Sequence, residues 1–349
     1  MDMQNLRNHT KLCWDILPAV SRSFALCIQK LPDGLNERMM AAYLIFRIID
    51  TIEDAGAPLE VKKKAFADFL GLLAQKPPDE EMFDTHRKFL LSKIDHTYES
   101  ILLENVRSVF EVFYSFTRDE QDVILKYARE MVHGMLEFQN KPVLDFKAQE
   151  QYCYYVAGIV GYLNTHLFHL SGGISAGLRD EIMELSKNFG IALQKVNVLR
   201  DVAHDIPQGR YFWPQDILEK NGVDYATICE PQHRQNAMNV LREMVENALP
   251  YLEDAIEYVT RLPRFAVRIR VFCLIPLFMA LESYAKCVEN EDIFNSGKNV
   301  KISKGDVRRI VRNSFLLATS NWALRAWFDH RANEVRKKLG AARQPTANA

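Results

Sequence analysis

The sequence predicts an all-α fold, and three observations carry that reading. Apolar residues recur near i, i+3 and i+4 through most of the 349 residues. No run alternates apolar and polar residues with the period of a strand. Glycine and proline are few, 15 and 13, where a turn-rich β protein would use more.

The helical stretches follow one another between Gly and Pro punctuation. Residues 19–32, AVSRSFALCIQKLP, run to a Pro32-Asp-Gly34 turn. Residues 37–54, ERMMAAYLIFRIIDTIED, make a strongly apolar helix whose end turns acidic. Residues 62–76 repeat the pattern up to Pro77-Pro78, and 106–116 and 119–138 continue it. The stretch 148–173 ends at Gly172-Gly173, and 179–206 ends at Pro207-Gln-Gly209. Residues 236–262 stop at Pro263, and 264–288 follow. The most apolar part of that last stretch, VFCLIPLFMALESYA, is short and carries Pro276 and Glu282, so it reads as a core helix. After Ser296-Gly297 a final stretch, 304–339, is read as continuous helical pattern. No long polar linker intervenes. The expectation is one domain over 1–335 and a polar tail over 336–349.

Composition excludes several classes of function. Lys and Arg total 44 against 45 for Asp and Glu, so no bulk charge attracts nucleic acid. The basic run Arg308, Arg309, Arg312 reads as a solvated face. Six cysteines form no CxxC and lie mostly in apolar helical stretches. They read as free thiols in a reducing, cytoplasmic setting. The N-terminus lacks the apolar run of a secretory signal, and no stretch is long and apolar enough to span a membrane. Residues 336–343, RKKLGAAR, are amphipathic enough for weak peripheral membrane contact.

The chemistry lies in two acidic clusters. Asp50 and Asp54 are four residues apart, with Glu53 between them; Asp201 and Asp205 repeat the spacing. On a helix, i and i+4 share a face, and two carboxylates there repel unless a cation sits between them. Hard oxygen ligands of this kind suit Mg²⁺, which keeps waters and shares its shell with phosphate oxygens. Arg47 precedes the first pair, and Arg200 and Arg210 surround the second. Guanidiniums bind the phosphate oxygens a metal leaves open.

Asp50-Thr-Ile-Glu-Asp54, Asn197-Val-Leu-Arg-Asp201-Val-Ala-His-Asp205 and Gly209-Arg-Tyr-Phe-Trp-Pro214 together resemble the squalene/phytoene synthase family. SRSFALCIQKLP at 21–32 resembles its diphosphate-binding segment, and YCYYVAGIVG at 152–161 resembles its tyrosine-bearing helix. The resemblance covers most of 15–290. FWP at 212–214, FCLIPLFMA at 272–280 and VKISKG at 300–305 resemble the squalene synthase branch. In three places the chain departs from the family pattern, with Ala55, His204 and Ser303. Ser303 stands where the reductant loop commonly has arginine.

The resemblance implies the single-domain isoprenoid synthase fold with a central cavity. It implies a prenyltransferase that condenses two farnesyl diphosphates head to head, through presqualene diphosphate, and reduces the product to squalene with NADPH. Asp50, Glu53, Asp54, Asp201 and Asp205 would hold Mg²⁺. Ser21, Arg22, Ser23, Tyr43, Arg47, Gln194, Asn197, Arg200 and Arg210 would bind diphosphate. Arg22, Arg47, Arg200 and Lys301 would meet NADPH. Tyr152 matches the tyrosine that assists proton removal, and Phe24, Leu193, Phe272 and Ile275 would line an apolar tunnel. A monomer is expected. Two alternatives stay open: a reductant-free synthase of presqualene diphosphate, dehydrosqualene or phytoene, and a non-catalytic scaffold on the same fold.

Overall fold

A computed structural model describes residues 3–76, 80–92, 98–139, 141–298 and 300–341. The Pro77-Pro78 break and the tail from 342 onward lie outside the described residues. Among those described, the chain is all-α with no strand. No helix is long and apolar enough to cross a membrane. Contacts divide the chain into two compact units, 1–139 with 163–179, and 140–162 with 180–349.

The first unit contains α1 (Met3–Val20), α2 (Arg22–Ile28), α3 (Leu35–Asp54), α4 (Leu59–Ala74), α5 (Glu80–Leu91), α6 (Tyr98–Glu104), α7 (Val106–Tyr114) and α8 (Arg118–Phe138). Helix α3 is its core: Met40, Ala41, Leu44, Ile45, Ile48 and Ile49 are completely buried. Around it Phe69, Phe83 and Phe110 form an aromatic cluster with ring centroids 5.7 Å apart along the chain of contacts. The Tyr114 hydroxyl donates to the carbonyls of Leu72 at 2.6 Å and Gln75 at 2.8 Å, tying α7 to the end of α4. Buried Glu120 completes a capping box with Thr117 at the start of α8 and also accepts from Arg38 on α3. Helix α1 is not announced by the sequence pattern, because it buries only Cys13, Ile16 and Leu17 and leaves its first turns polar.

The second unit takes in α9 (Phe146–Cys153), a π-helical turn at Tyr154–Gly158 that runs into α10 (Ile159–Leu170), and most of α11 (Ala176–Arg200). It continues through α12 (Val202–Asp205), α13 (Gln215–Lys220), α14 (Arg234–Arg261), α15 (Val267–Cys287), α16 (Lys304–Leu317) and α17 (Asn321–Ala341). The stretch read as continuous over 304–339 is two helices. The Ser320 hydroxyl accepts from the Ala323 backbone N–H at 3.2 Å, so it caps a new helix instead of extending the old one.

Helices α14 to α17 pack as a bundle whose directions are fixed by named contacts. Lys286 near the end of α15 meets Asp306 at the start of α16, 2.6 Å apart, so those two run antiparallel. Glu282 accepts from Arg309 on α16 at 3.1 Å and from Arg331 on α17 at 2.6 Å. Phe278 stacks on Trp327 with centroids 3.4 Å apart. At the opposite end, Asn321 donates to the Thr260 carbonyl at 2.9 Å and accepts from Arg270 at 2.5 Å. The ends of α14 and α16 and the starts of α15 and α17 therefore meet there. Arg270 is fully buried, and its Nε and Nη1 find no hydrogen-bond partner among the described residues. Burial, helped by Arg264, pushes its pKa down to about 10.

Helix α17 carries on to Ala341, past residue 335, where the sequence reading begins a tail. Val335 and Leu339 are buried, Arg336 pairs with Glu253 at 2.6 Å, and Lys338 donates to the Ala285 carbonyl at 2.7 Å. The apolar face expected to touch a membrane is spent inside the bundle.

Helix α11 and the α9–α10 segment cross at backbone contact. A Cβ on Gly161 would lie 1.9 Å from the Ser186 carbonyl oxygen, and one on Gly190 would lie 2.1 Å from that of Ala157. Neither fits without moving main chain. Gly190→Ala is expected to lower stability by about 3 kcal/mol, from overpacking that no side chain can relieve. Gly71→Ala, at a helical glycine with no atom within 4 Å of a new Cβ, should be neutral or stabilising by about 0.5–1 kcal/mol. Urea unfolding of both variants beside the parent checks the contrast.

Candidate active site

In the first unit the site residues form one stripe. Tyr43, Arg47, Asp50 and Asp54 are spaced 4, 3 and 4 along α3, so they share one face while the apolar residues take the other. Ser21 caps α2, its hydroxyl accepting from Phe24 N at 3.3 Å, and it offsets part of the burial that raises the Tyr43 pKa. The Phe24 and Tyr43 rings lie 5.2 Å apart. Arg22 and Ser23 are exposed in the first turn of α2. The Ser-Arg-Ser-Phe segment and the first acidic cluster are thus joined through Tyr43.

Electrostatics on this stripe are unfavourable as they stand. Glu53 and Asp54 occupy the last turn of a 20-residue helix that has no basic residue there, and Asp50 directly precedes that turn. A helix C-terminus carries partial negative charge, so carboxylates destabilise it. The Asp50 side chain keeps 38% of its surface, yet protein surrounds it closely enough to push its pKa up to about 7. Desolvation is the larger cause; Asp54 adds to it and Arg47 opposes it. Arg47 lies 4.0 Å from Asp50 and also pairs with Glu99 on α6. Burial works against its charge, but Asp50 and Glu99 outweigh it and hold its pKa above the ordinary value. Its Nε has no hydrogen-bond partner among the described residues.

In the second unit the corresponding acids again follow the C-terminus of a long helix. Arg200 ends α11 and chelates Asp201, Nε to Oδ1 at 2.8 Å and Nη2 to Oδ2 at 2.7 Å. Asn197 accepts from the same guanidinium at 3.4 Å and donates to Gln194 at 3.2 Å. Asp205 ends α12, and the next turn closes at Gly209, whose φ of +73° is left-handed. That reversal lets Arg210 N bond the Asp205 carbonyl at 3.1 Å and brings Arg210 Nε to 3.3 Å from the Asp205 carboxylate. Trp213 then anchors the loop, its indole N–H donating to the Val198 carbonyl at 2.9 Å.

Tyr152 is buried on α9 with its ring stacked on Phe212, centroids 4.3 Å apart. Leu193 is half-buried, whereas Phe272 and Ile275 are buried among the bundle helices. Lys301 and Lys304 are exposed. Ser303 is the N-cap of α16: its hydroxyl accepts from Asp306 N at 3.1 Å, and Asp306 reaches back to the Ser303 N–H at 3.0 Å.

Sequence reasoning missed two groups. Lys195 is buried on α11 and donates to Gln149 at 3.0 Å and Asn247 at 2.6 Å. Gln149 also donates to the Phe212 carbonyl at 2.9 Å, so Lys195 braces α9 beside the loop whose Phe212 ring stacks on Tyr152. The signal was a lysine inside an apolar helix, where burial demands partners. Glu99 gave no such signal, because only the folded chain brings α6 to Arg47.

Among the described residues no three His, Cys, Asp or Glu converge on one point. Each cluster instead supplies a pair of carboxylates with an arginine, a donor set that suits an octahedral cation completing its shell with water and phosphate. It is not the closed cage of a structural metal.

Comparison with known proteins agrees with this geometry. The squalene/phytoene synthase family model matches residues 17–306. The squalene synthase of Rattus norvegicus is 34% identical over 310 residues, 87% of this chain and 70% of the relative. That of Homo sapiens is 33% identical over 307 residues, 87% and 69%. A solved structure of TcSQS with the ligand BPH1237 superposes with a TM-score of 0.82 at 29% identity, covering 98% of this chain and 94% of that one.

The raised Asp50 pKa gives a signed pH dependence. Between the ordinary carboxylate value near 4 and about 7, the folded state holds more protons than the unfolded one, so stability falls as pH rises across that window. In chelator, Asp50→Asn should be more stable than the parent at pH 8, by about 1 kcal/mol after solvent screening. The two should converge as pH falls towards 4. Thermal unfolding at both pH values measures the gap.

Proposed function

The chain belongs to the squalene/phytoene synthase family, and from that premise we propose that it joins two farnesyl diphosphates head to head and, with NADPH, carries the product through presqualene diphosphate to squalene. It is a prenyltransferase on the all-α isoprenoid synthase fold. One observation carries the proposal. Two pairs of acids stand at C-terminal helix ends, each beside arginine, where their charge is unfavourable without a cation.

Asp50, Glu53, Asp54, Asp201 and Asp205 are the proposed ligands of Mg²⁺. Bound there, the metal would neutralise charge on the departing diphosphate. Arg22, Arg47, Arg200 and Arg210 hold the remaining phosphate oxygens. Ser21, Ser23, Tyr43, Gln194 and Asn197 orient them by hydrogen bonds. Because these groups bind the leaving group more tightly as its charge grows, they act in the transition state. Tyr152 assists loss of the proton that closes the cyclopropane ring. A phenol is by nature a weak base, its ordinary pKa being about 10, so the departing diphosphate is the natural acceptor beside it. Phe24, Leu193, Phe272 and Ile275 are the proposed wall of the farnesyl tunnel.

NADPH is proposed to meet Arg22, Arg47, Arg200 and Lys301. Lys301 and Lys304 are exposed and can receive its phosphates. We place the reaction on a monomer in the cytoplasm, where free thiols stay reduced.

One observation favours a second reading, a reductant-free synthase. Ser303 spends its hydroxyl on the α16 cap and adds no charge where the family commonly has arginine.

Incubation with farnesyl diphosphate and Mg²⁺, with and without NADPH, separates the two readings by product mass. Squalene formed only with NADPH is the expected result. Presqualene diphosphate or dehydrosqualene, unchanged by NADPH, would establish the second reading. Asp54→Asn and Asp201→Asn are each expected to lower kcat by about 10²–10³ with the fold intact by circular dichroism.

A further inference from the structure

Lys195 lies inside the second unit with 3% of its surface exposed. Its ammonium donates to the Gln149 amide oxygen at 3.0 Å and to the Asn247 amide oxygen at 2.6 Å. The Glu150 carboxylate is 3.7 Å away, and the rings of Tyr251 and Phe146 are centred 5.1 Å and 5.6 Å from the charge. Lysine is almost never buried so deeply unless paired. A methionine would fill similar space and need no partners, so packing alone does not account for the charge.

Its effect falls on Gln149, 1% exposed on α9. An ammonium only donates, so the amide oxygen has to face Lys195. The amide nitrogen is thereby turned to the Phe212 carbonyl, to which it donates at 2.9 Å, with the Met244 sulfur 3.7 Å away. A reversed amide would set oxygen against oxygen at Phe212 and donor against donor at Lys195. The lysine thus decides which way the amide points, and the amide holds the Phe212 main chain. The Phe212 ring in turn stacks on Tyr152, centroids 4.3 Å apart and planes inclined by 17°. Gln149 and Tyr152 are three residues apart on α9 and share a face, so that one face grips both the main chain and the ring of Phe212. The loop has a separate anchor in the Trp213 indole, bonded to the Val198 carbonyl at 2.9 Å. Loss of the Gln149 bond therefore frees the Phe212 peptide and ring to turn without releasing the loop.

We propose that Lys195 is a positioning residue for Tyr152, acting through the Gln149 amide and Phe212 to fix the plane of the tyrosine ring. The inference rests on the role proposed above for Tyr152 in closing the cyclopropane ring. In that step a C–H bond of the condensed cation breaks, its electron pair forms the third ring bond, and the proton passes to the departing diphosphate beside the phenol. Proton transfer needs the hydroxyl within hydrogen-bond reach of its partners, and a turn of the ring plane moves it off that line. Asn247, on α14, is the lysine's other amide partner and bonds neither Gln149 nor Phe212 among the described residues. It belongs to the packing of the lysine and not to the relay.

Single-turnover formation of presqualene diphosphate from farnesyl diphosphate and Mg²⁺ tests the relay, together with fluorine NMR of the fluorotyrosine-labelled chain. The Tyr152 signal is assigned by its loss in Tyr152→Phe, which should slow the step by about 10²–10³. Gln149→Met and Lys195→Met should each slow it by about tenfold, with half-saturation by farnesyl diphosphate unchanged, and each should shift the Tyr152 signal. Because the two act in series, the double variant should be no slower than either single one. Asn247→Ala should lower the unfolding midpoint as they do, yet keep the rate and the signal of the parent. Should one methionine variant misfold, the other carries the comparison. A Tyr152 signal unmoved in Gln149→Met or Lys195→Met, additive losses in the double variant, or equal slowing by Asn247→Ala would each overturn the proposal. A Tyr152→Phe chain as fast as the parent would instead overturn the role of the tyrosine, and the inference with it, whatever the signal shows.

Discussion

The second unit depends on one contact, the backbone-to-backbone crossing of α11 with the α9–α10 segment. Glycines at 161 and 190 bring main chain against main chain, and no other residue leaves room. The π-helical turn at Tyr154–Gly158 sits within this crossing. Such a turn adds a residue to the helical path and so changes which side chains precede and follow on a given face. Tyr152 lies just before the turn, whereas Gln194, Asn197 and Asp201 lie a few residues past Gly190. Close approach at the glycines therefore sets how the tyrosine helix and the acid-bearing helix are held in register. Lys195 reinforces the same crossing by linking α11 to α9 and α14.

A second constraint is electrostatic. Helix ends usually oppose their own dipole with charge of the other sign, yet α3 ends in three acids and α11 runs into two. The arginines nearby soften the conflict: Arg47 is shared between Asp50 and Glu99, while burial, with Asp54, raises the Asp50 pKa against it. Locally unfavourable charge of this kind marks places shaped for a ligand and not for the resting fold.

Much of this was legible in the sequence for physical reasons. Long helices announce themselves because their buried faces must repeat at the helical period, as in α3, α8 and α14. The paired acids and the Gly209 turn are local, so spacing alone located them. What escaped depends on contacts distant in sequence. Helix α1 gives little pattern because so few of its residues are buried. The break between α16 and α17 rests on one serine hydroxyl capping a turn. Glu99 meets Arg47 across 52 residues, and Lys195 finds its partners on two other helices. The amphipathic pattern at the C-terminal end was real, but its apolar side is consumed by α15 and α14 instead of standing free.

The cysteines have a practical consequence. Cys13, Cys27, Cys153, Cys273 and Cys287 are buried, and burial drives the thiols of Cys13, Cys27, Cys153 and Cys287 up to about 12. Thiolates are the reactive species, so these four resist alkylation and oxidation while the fold holds. Cys229 is the one cysteine that is not buried. A maleimide dye would therefore enter at Cys229 first, placing a single reporter on the loop before α14 without any engineering. The other five would become labelled only as helices open, turning the native chain into its own gauge of local unfolding.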